Sequence, residues 1–226
     1  MTVAISSFDI GSQVASGTTI SNTLLTVASG VTALLGILWI NVSSGAPTMH
    51  WDSTGTNQSM TQLGTVANGT VNTYFFGLLA PTTGNHTLSA SWTGSSGGCI
   101  GAECYTGTAT DTLANAFTNF GSNTGSSTTA TVTSAGATGN INVCAMGAGT
   151  TPAYSAEATT GSATPFLLQN TNIGCTACSA PSAASLVWTA TLSATNPWTA
   201  ISIDVSVPAA PAAILAWPSR AVGFWR

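Results

Sequence analysis

Hydrophobic and polar positions alternate with a period of two over much of this chain. HTLSASW (86–92) puts Leu88, Ala90 and Trp92 on one face and Thr87, Ser89 and Ser91 on the other, the pattern of a half-buried strand. SLVWTATL (185–192) does the same with Leu186, Trp188, Ala190 and Leu192. AISIDVSV (200–207) turns Ile201, Ile203, Val205 and Val207 inward and Asp204 outward. Between them lie TLLTV (23–27), the continuous apolar run LLGILWINV (34–42), TYFFGLL (73–79), STTATVTS (127–134) and NINVCAM (140–146). AGATG joins the last two as a hairpin turn. Weaker strands are expected at 3–8, 59–66 and 164–169. Only DTLANAFTNF (111–120), with Leu113, Ala116, Phe117 and Phe120 at helical spacing, reads as a short helix or an irregular crossover.

Many short strands with Gly-rich turns predict an all-β protein, a two-sheet antiparallel β-sandwich of jelly-roll type. The pattern stops after Val207, where PAAPAA begins. Proline there favours an extended spacer over a central strand. The chain is therefore divided into a sandwich domain, 1–207, and a tail, 208–226.

Composition sharpens this picture. Charged residues make up 4% of the chain, against about 25% in an ordinary domain. The surface must be covered by Ser, Thr, Asn and Gly, short side chains that lose little entropy at an interface. The net charge is −4, and both arginines, Arg220 and Arg226, lie in the last seven residues. A body without Lys or Arg is unsuited to nucleic acid. The longest apolar run falls short of a membrane-spanning helix, so no membrane partner is expected. MTVAISSFDIGSQ has neither the basic nor the apolar region of a secretory signal. The composition nevertheless looks extracellular. Assembly in a host cytoplasm and release in a virion reconciles the two; signal-less secretion to an extracellular location is the other route.

The order TLLTV, LLGILWINV, MHW, TYFFGLLAPTTGNHTLSASWTG and a short strand at YTG resembles a β-sandwich module of phage virion and bacterial surface proteins. In that family an apolar strand leads to a short aromatic strand and then to a hairpin of the YxLxxPxxGxxTVTVxW type. The resemblance spans most of 20–110 and departs from the family at His50-Trp51, where Tyr-Gly-Gly is usual. It implies a sandwich fold and a surface or virion setting, and it carries over no catalytic residue.

Candidate chemistry is sparse. Cys99 and Cys104 bracket IGAE, and Cys175 and Cys178 bracket TA. Short spacing in Gly-rich stretches predicts two local disulfides, Cys99–Cys104 and Cys175–Cys178, in preference to a zinc site that needs two distant loops to meet. Cys144 points away from Ile141 and Val143, hence outward toward a neighbouring subunit, or else under a loop as a small apolar residue. His50 in MHWD is expected to be a satisfied histidine in a capped turn. Asp204 and Glu103 are expected to be solvated. No cofactor or metal is expected.

The tail is the most informative element. Ile214, Leu215, Trp217, Phe224 and Trp225 accompany Arg220 and Arg226, and Trp and Arg dominate interface energetics. The expected role is an anchor placed on another subunit. The leading expectation is a non-enzymatic virion structural protein of a tailed bacteriophage, most of all a capsid decoration (cement) protein. Its partners would be the major capsid protein or other virion subunits, with homo-oligomers expected. The alternative is a carbohydrate-binding or adhesin module, or a fibre protein, that meets a surface glycan through Trp51 and Trp198. A glycan-cleaving enzyme built on two of the six acids ranks last.

Overall fold

The computed structural model describes residues 2–9, 12–23, 25–41, 45–69, 71–149, 154–159, 164–169 and 173–209, with backbone only at 155–159 and 164–169. The fold is all-β. The first half holds β1 (Ala4–Asp9), β2 (Gln13–Asn22), β3 (Thr26–Val27), β4 (Ala33–Asn41), β5 (Thr48–Trp51), β6 (Gln58–Ala67), β7 (Val71–Leu79), β8 (Gly84–Asn85) and the long β9 (Leu88–Thr106). One helical turn, α1 (Leu113–Ala116), leads to the second half. That half holds β10 (Phe117–Ser134), β11 (Ile141–Ala148), β12 (Tyr154–Thr159), β13 (Thr164–Gln169), β14 (Gly174–Pro181) and the long β15 (Leu186–Val205).

The first sheet runs β1-β9-β4-β7-β6-β5, with β2 also on β9, and β5 returns to pair with β9. It therefore closes into a five-stranded barrel and is not a jelly-roll sheet. Closure is possible because β9 serves two neighbourhoods. Its start pairs with β2 and β5, its end with β4 and β1. Gly94 lies at the bend with φ +80, a conformation that favours glycine. The second sheet runs β10-β15-β11-β14-β13, with β12 on β15.

These two orders are the same order. Taking β1 and β2 together as the counterpart of β10, β9 corresponds to β15, β4 to β11, β7 to β14, β6 to β13 and β5 to β12. The registers agree as well. Ala33 faces Tyr105 and Leu79; its counterpart Ile141 faces Val205 and Pro181. So do the faces. Leu35 and Ile37 turn to the core between the sheets, as do Val143 and Ala145, their counterparts. Leu38 and Ile40 turn into the first barrel, and Met146 and Ala148 into the curl of the second sheet. The molecule is two copies of one topology, back to back, with a core inside each and a third between them.

The contact between the halves follows two-fold logic, in which i meets j and the counterpart of i meets the counterpart of j. Trp39 and Gly147 are counterparts and meet each other; a Cβ at Gly147 would lie 2.9 Å from Trp39 Cδ1. Thr73 Oγ1 and Thr199 Oγ1 are 2.8 Å apart. The counterparts of these threonines are Cys175 and Cys99, and their thiols hydrogen-bond each other.

Several expectations change here. Cys99 and Cys104 are on one continuous strand, as are Cys175 and Cys178. An extended strand carries residues separated by an odd number to opposite faces. Cys99 and Cys175 enter the inter-sheet core, Cys104 the first barrel and Cys178 the curl of the second sheet. The two local bridges are therefore ruled out by strand geometry, and no cysteine pair stands at disulfide distance in this structure. Cys144 does point away from Ile141 and Val143, but into the second core, where it is buried. Asp204 also faces that side and is fully buried. It accepts hydrogen bonds from Asn140 Nδ2 at 2.6 Å and from Ser182 Oγ. AGATG is not a hairpin turn, because β10 and β11 each pair with β15 rather than with each other.

Candidate functional site

The two-fold relation fails at the groove between the halves, and this failure exposes the best candidate site. Gly77 on β7 corresponds to Ser179 on β14, and Phe117 corresponds to Ile5. At Gly77 the groove between the halves is filled: a Cβ there would meet Leu63, Phe117 and Leu113 at 2.9, 3.0 and 3.1 Å. Thr112 starts α1 by accepting from Asn115 N, and the single turn that follows delivers Leu113 to that groove. At Ser179 the groove is an open cleft of about 420 Å³ bounded by Val3, Ile5, Asn140, Ile141, Ser179 and Ala180. Ile5 and Phe8 are exposed. They pair with Tyr105 and Glu103, and direct cross-strand partners share a face. The apolar inter-sheet surface thus continues outward along β1.

Behind the cleft lies a buried acid. Glu103 Oε1 accepts from Ser179 Oγ at 3.0 Å and Oε2 from Tyr105 Oη at 2.7 Å. Burial pushes the carboxyl up to about 7, with the two hydroxyl donors opposing the shift only in part. The same burial raises the neighbouring Cys104 thiol to about 11 and lifts Tyr105 well above its ordinary range. The counterparts of Glu103, Tyr105 and Ser179 are Ile203, Val205 and Gly77. The fold accepts apolar residues at these positions, so the polar trio is particular to the cleft side. Glu103 had been expected in solvent; nothing in ECY signals that both faces of β9 are covered.

Chain entry and exit meet at the same corner. Val3 N donates to Gly139 O at 2.8 Å, and Val207 N donates to Asn140 Oδ1 at 3.0 Å. The tail residues Ile214, Leu215, Trp217, Arg220, Phe224, Trp225 and Arg226 lie outside the described residues, beyond this exit.

Among the described side chains, the acids considered for catalysis are engaged in holding the fold. Asp9 accepts from Asn22 Nδ2 at 2.7 Å. Asp111 accepts from Asn115 Nδ2. Asp52 closes the turn after β5, accepting from Thr56 N at 2.7 Å and Thr56 Oγ1 at 2.8 Å. These donors, with His86 Nδ1 at 3.1 Å, hold the Asp52 carboxyl below its usual range. The histidine of this cluster is His86, packed edge-on against Trp51; the proximity of His50 and Asp52 in sequence is misleading. His50 instead sits with Ser21, Ser89 and Ser91 around a hydroxyl-lined groove of about 460 Å³. Trp51 and Trp198 are buried, each with its indole N–H donated within the protein, to Thr82 O and Ser127 Oγ. They offer no exposed ring to a glycan.

Among the described residues no group of three or more His, Cys, Asp or Glu is placed to hold a metal, and no helix is long and apolar enough to cross a membrane. Comparison of the chain with protein-family models, with curated proteins and with solved structures finds no match.

Proposed function

We propose that this chain is a non-enzymatic structural subunit of a virion, of the capsid-decoration type, that fastens to the assembled shell of a tailed bacteriophage. The observation that carries the reading is the half-filled groove. One side of the two-fold is sealed by Leu113 and Phe117, and the other is left as an apolar cleft beside exposed Ile5 and Phe8. Such surface fits a partner's apolar side chain, of the size that Phe117 provides on the sealed side. The tail begins just past Val207, whose N–H donates to Asn140 Oδ1 at the edge of the cleft, and its first residues, Pro208 and Ala209, lie beside Asp111, Asn115 and Thr118; on this reading cleft and anchor address one partner, a capsid protein or another virion subunit. A subunit that binds the assembled lattice and not its dissociated parts stabilises the shell by mass action. Acids committed to internal hydrogen bonds and an uncharged, hydroxyl-rich surface support the same reading.

Co-sedimentation with purified particles tests it. Ile5→Asp with Phe8→Asp, and separately a chain ending at Ala209, should remain folded and lose particle binding. Burying Trp217 or Trp225 contributes roughly 1.5–3 kcal/mol before ordering costs, and a rim arginine about 0–1 kcal/mol. Trp217→Ala should therefore weaken attachment more than Arg226→Ala. Full binding by both the truncated chain and the Asp variant overturns the proposal.

The hydroxyl-lined groove at His50 favours a second reading, a glycan-binding module. It predicts saturable glycan binding that is lost on His50→Ala and indifferent to Ile5→Asp.

A further inference from the structure

Four of the five cysteines stand in two facing pairs that their spacing in the sequence conceals. We propose that Cys99–Cys175 and Cys144–Cys178 are oxidative cross-linking sites, closed by a low-molecular-weight disulfide of the glutathione class. The first bond ties the two halves together. The second staples neighbouring strands of the second half.

Each pair rests on its own geometry. Cys99 and Cys175 are fully buried in the inter-sheet core, and their thiols hydrogen-bond each other. The counterpart contact, Thr73 with Thr199, brings two side-chain oxygens to 2.8 Å, so this site of the two-fold holds side chains head to head. Cys144 and Cys178 are direct partners in the β11–β14 ladder. Direct antiparallel partners share a face with Cα atoms about 4.5–5.5 Å apart, inside the span of a disulfide. Both border one small cavity with Met146 and Thr176. Cys104 enters the first barrel, whose core holds no second cysteine among the described residues.

The chemistry is ordinary exchange. One protein thiolate attacks the oxidant's disulfide, forms a mixed disulfide and releases one small thiol. The facing thiolate then attacks the protein sulfur of that mixed disulfide and releases the second. Each pair loses two protons and two electrons; the oxidant takes them up as two thiols. Burial keeps the oxidant from the folded protein, so closure accompanies folding or transient opening. It matches passage from a reducing interior to an oxidising exterior.

The test refolds the full chain from denaturant in mixed oxidised and reduced glutathione, quenches with acid, alkylates, and maps peptides without reduction. The expected result is a Cys99–Cys175 link, a Cys144–Cys178 link and alkylated Cys104. The thermal midpoint should also rise by roughly 10 °C and fall back on reduction. Five alkylated thiols, glutathione adducts alone, or links Cys99–Cys104 and Cys175–Cys178 overturn the proposal. One link without the other upholds that pair and overturns its companion. Because the map is read on the wild-type chain, it does not depend on any variant folding. Cys99→Ser and Cys144→Ser should each remove one link and spare the other.

Discussion

Raising the pH from about 4.5 to about 7 should cost the fold about 3 kcal/mol, and Glu103→Gln should abolish most of that dependence. In the unfolded chain this carboxyl releases its proton near 4.5; in the folded protein it holds the proton to about 7. Between those values the folded state binds more protons than the unfolded state, so stability falls as pH rises. The contribution is complete below the lower value and gone above the upper one. Asp52 and Asp111 are shifted the opposite way; their contributions are present above their ordinary range and lost in more acid solution, outside this window. Urea midpoints across the pH series, with and without Glu103→Gln, measure the effect. An unchanged slope in the Gln variant would assign the dependence to another group.

The second large effect is expected at the two-fold. Trp39→Ala should destabilise by about 4 kcal/mol, in the range for a large buried aromatic. The residue is fully buried, and its partner Gly147 has no side chain with which to fill the gap. Trp39→Phe should cost far less, because Trp39 Nε1 has no acceptor among the described residues. Gly147→Val should be severe for the converse reason: its Cβ would crowd Trp39, Val71 and Thr73 at 2.9, 3.0 and 3.1 Å. Denaturant unfolding of the three variants checks the order. A mild Trp39→Ala would mean that the halves are not held at this contact.

Much of the strand content was legible because alternation survives wherever one face is buried. Val71–Leu79, Ala33–Asn41 and Ile141–Ala148 lie where the apolar runs place them. The misses have physical causes. SSGGC reads as a loop, yet β9 runs through it because Gly lets a strand bend as it changes partners. SATNP similarly hides the continuity of β15. FTNFGSNTGSS lacks an apolar face since its partner strand supplies the burial, so the first part of β10 passed for a helix or crossover. The duplication left little trace in residue identity. Ala90 and Ala190 are identical counterparts, whereas Trp92 is answered by Leu192 and Gly98 by Trp198. What repeats is register and face, which volume exchange between neighbours preserves. The candidate cleft was illegible for a related reason: it is defined by what fills the other side, and no single segment carries that comparison.

The meeting of chain entry and exit at residues 139–140 has a consequence for connectivity itself. With Val3 and Val207 bonded to adjacent residues of one turn, the order of the two halves along the chain is not dictated by their arrangement in space. A circular permutant that begins near Asp111, runs through β15, crosses a short Gly-Ser bridge and continues from Thr2 to Gly107 would keep every ladder and every contact of the two-fold. Only the covalent route between the halves would change, and it would stay at the same end of the molecule, where Ala109 N already donates to Ser206 O. The present linkage is thus one of two equivalent ways to thread the same body.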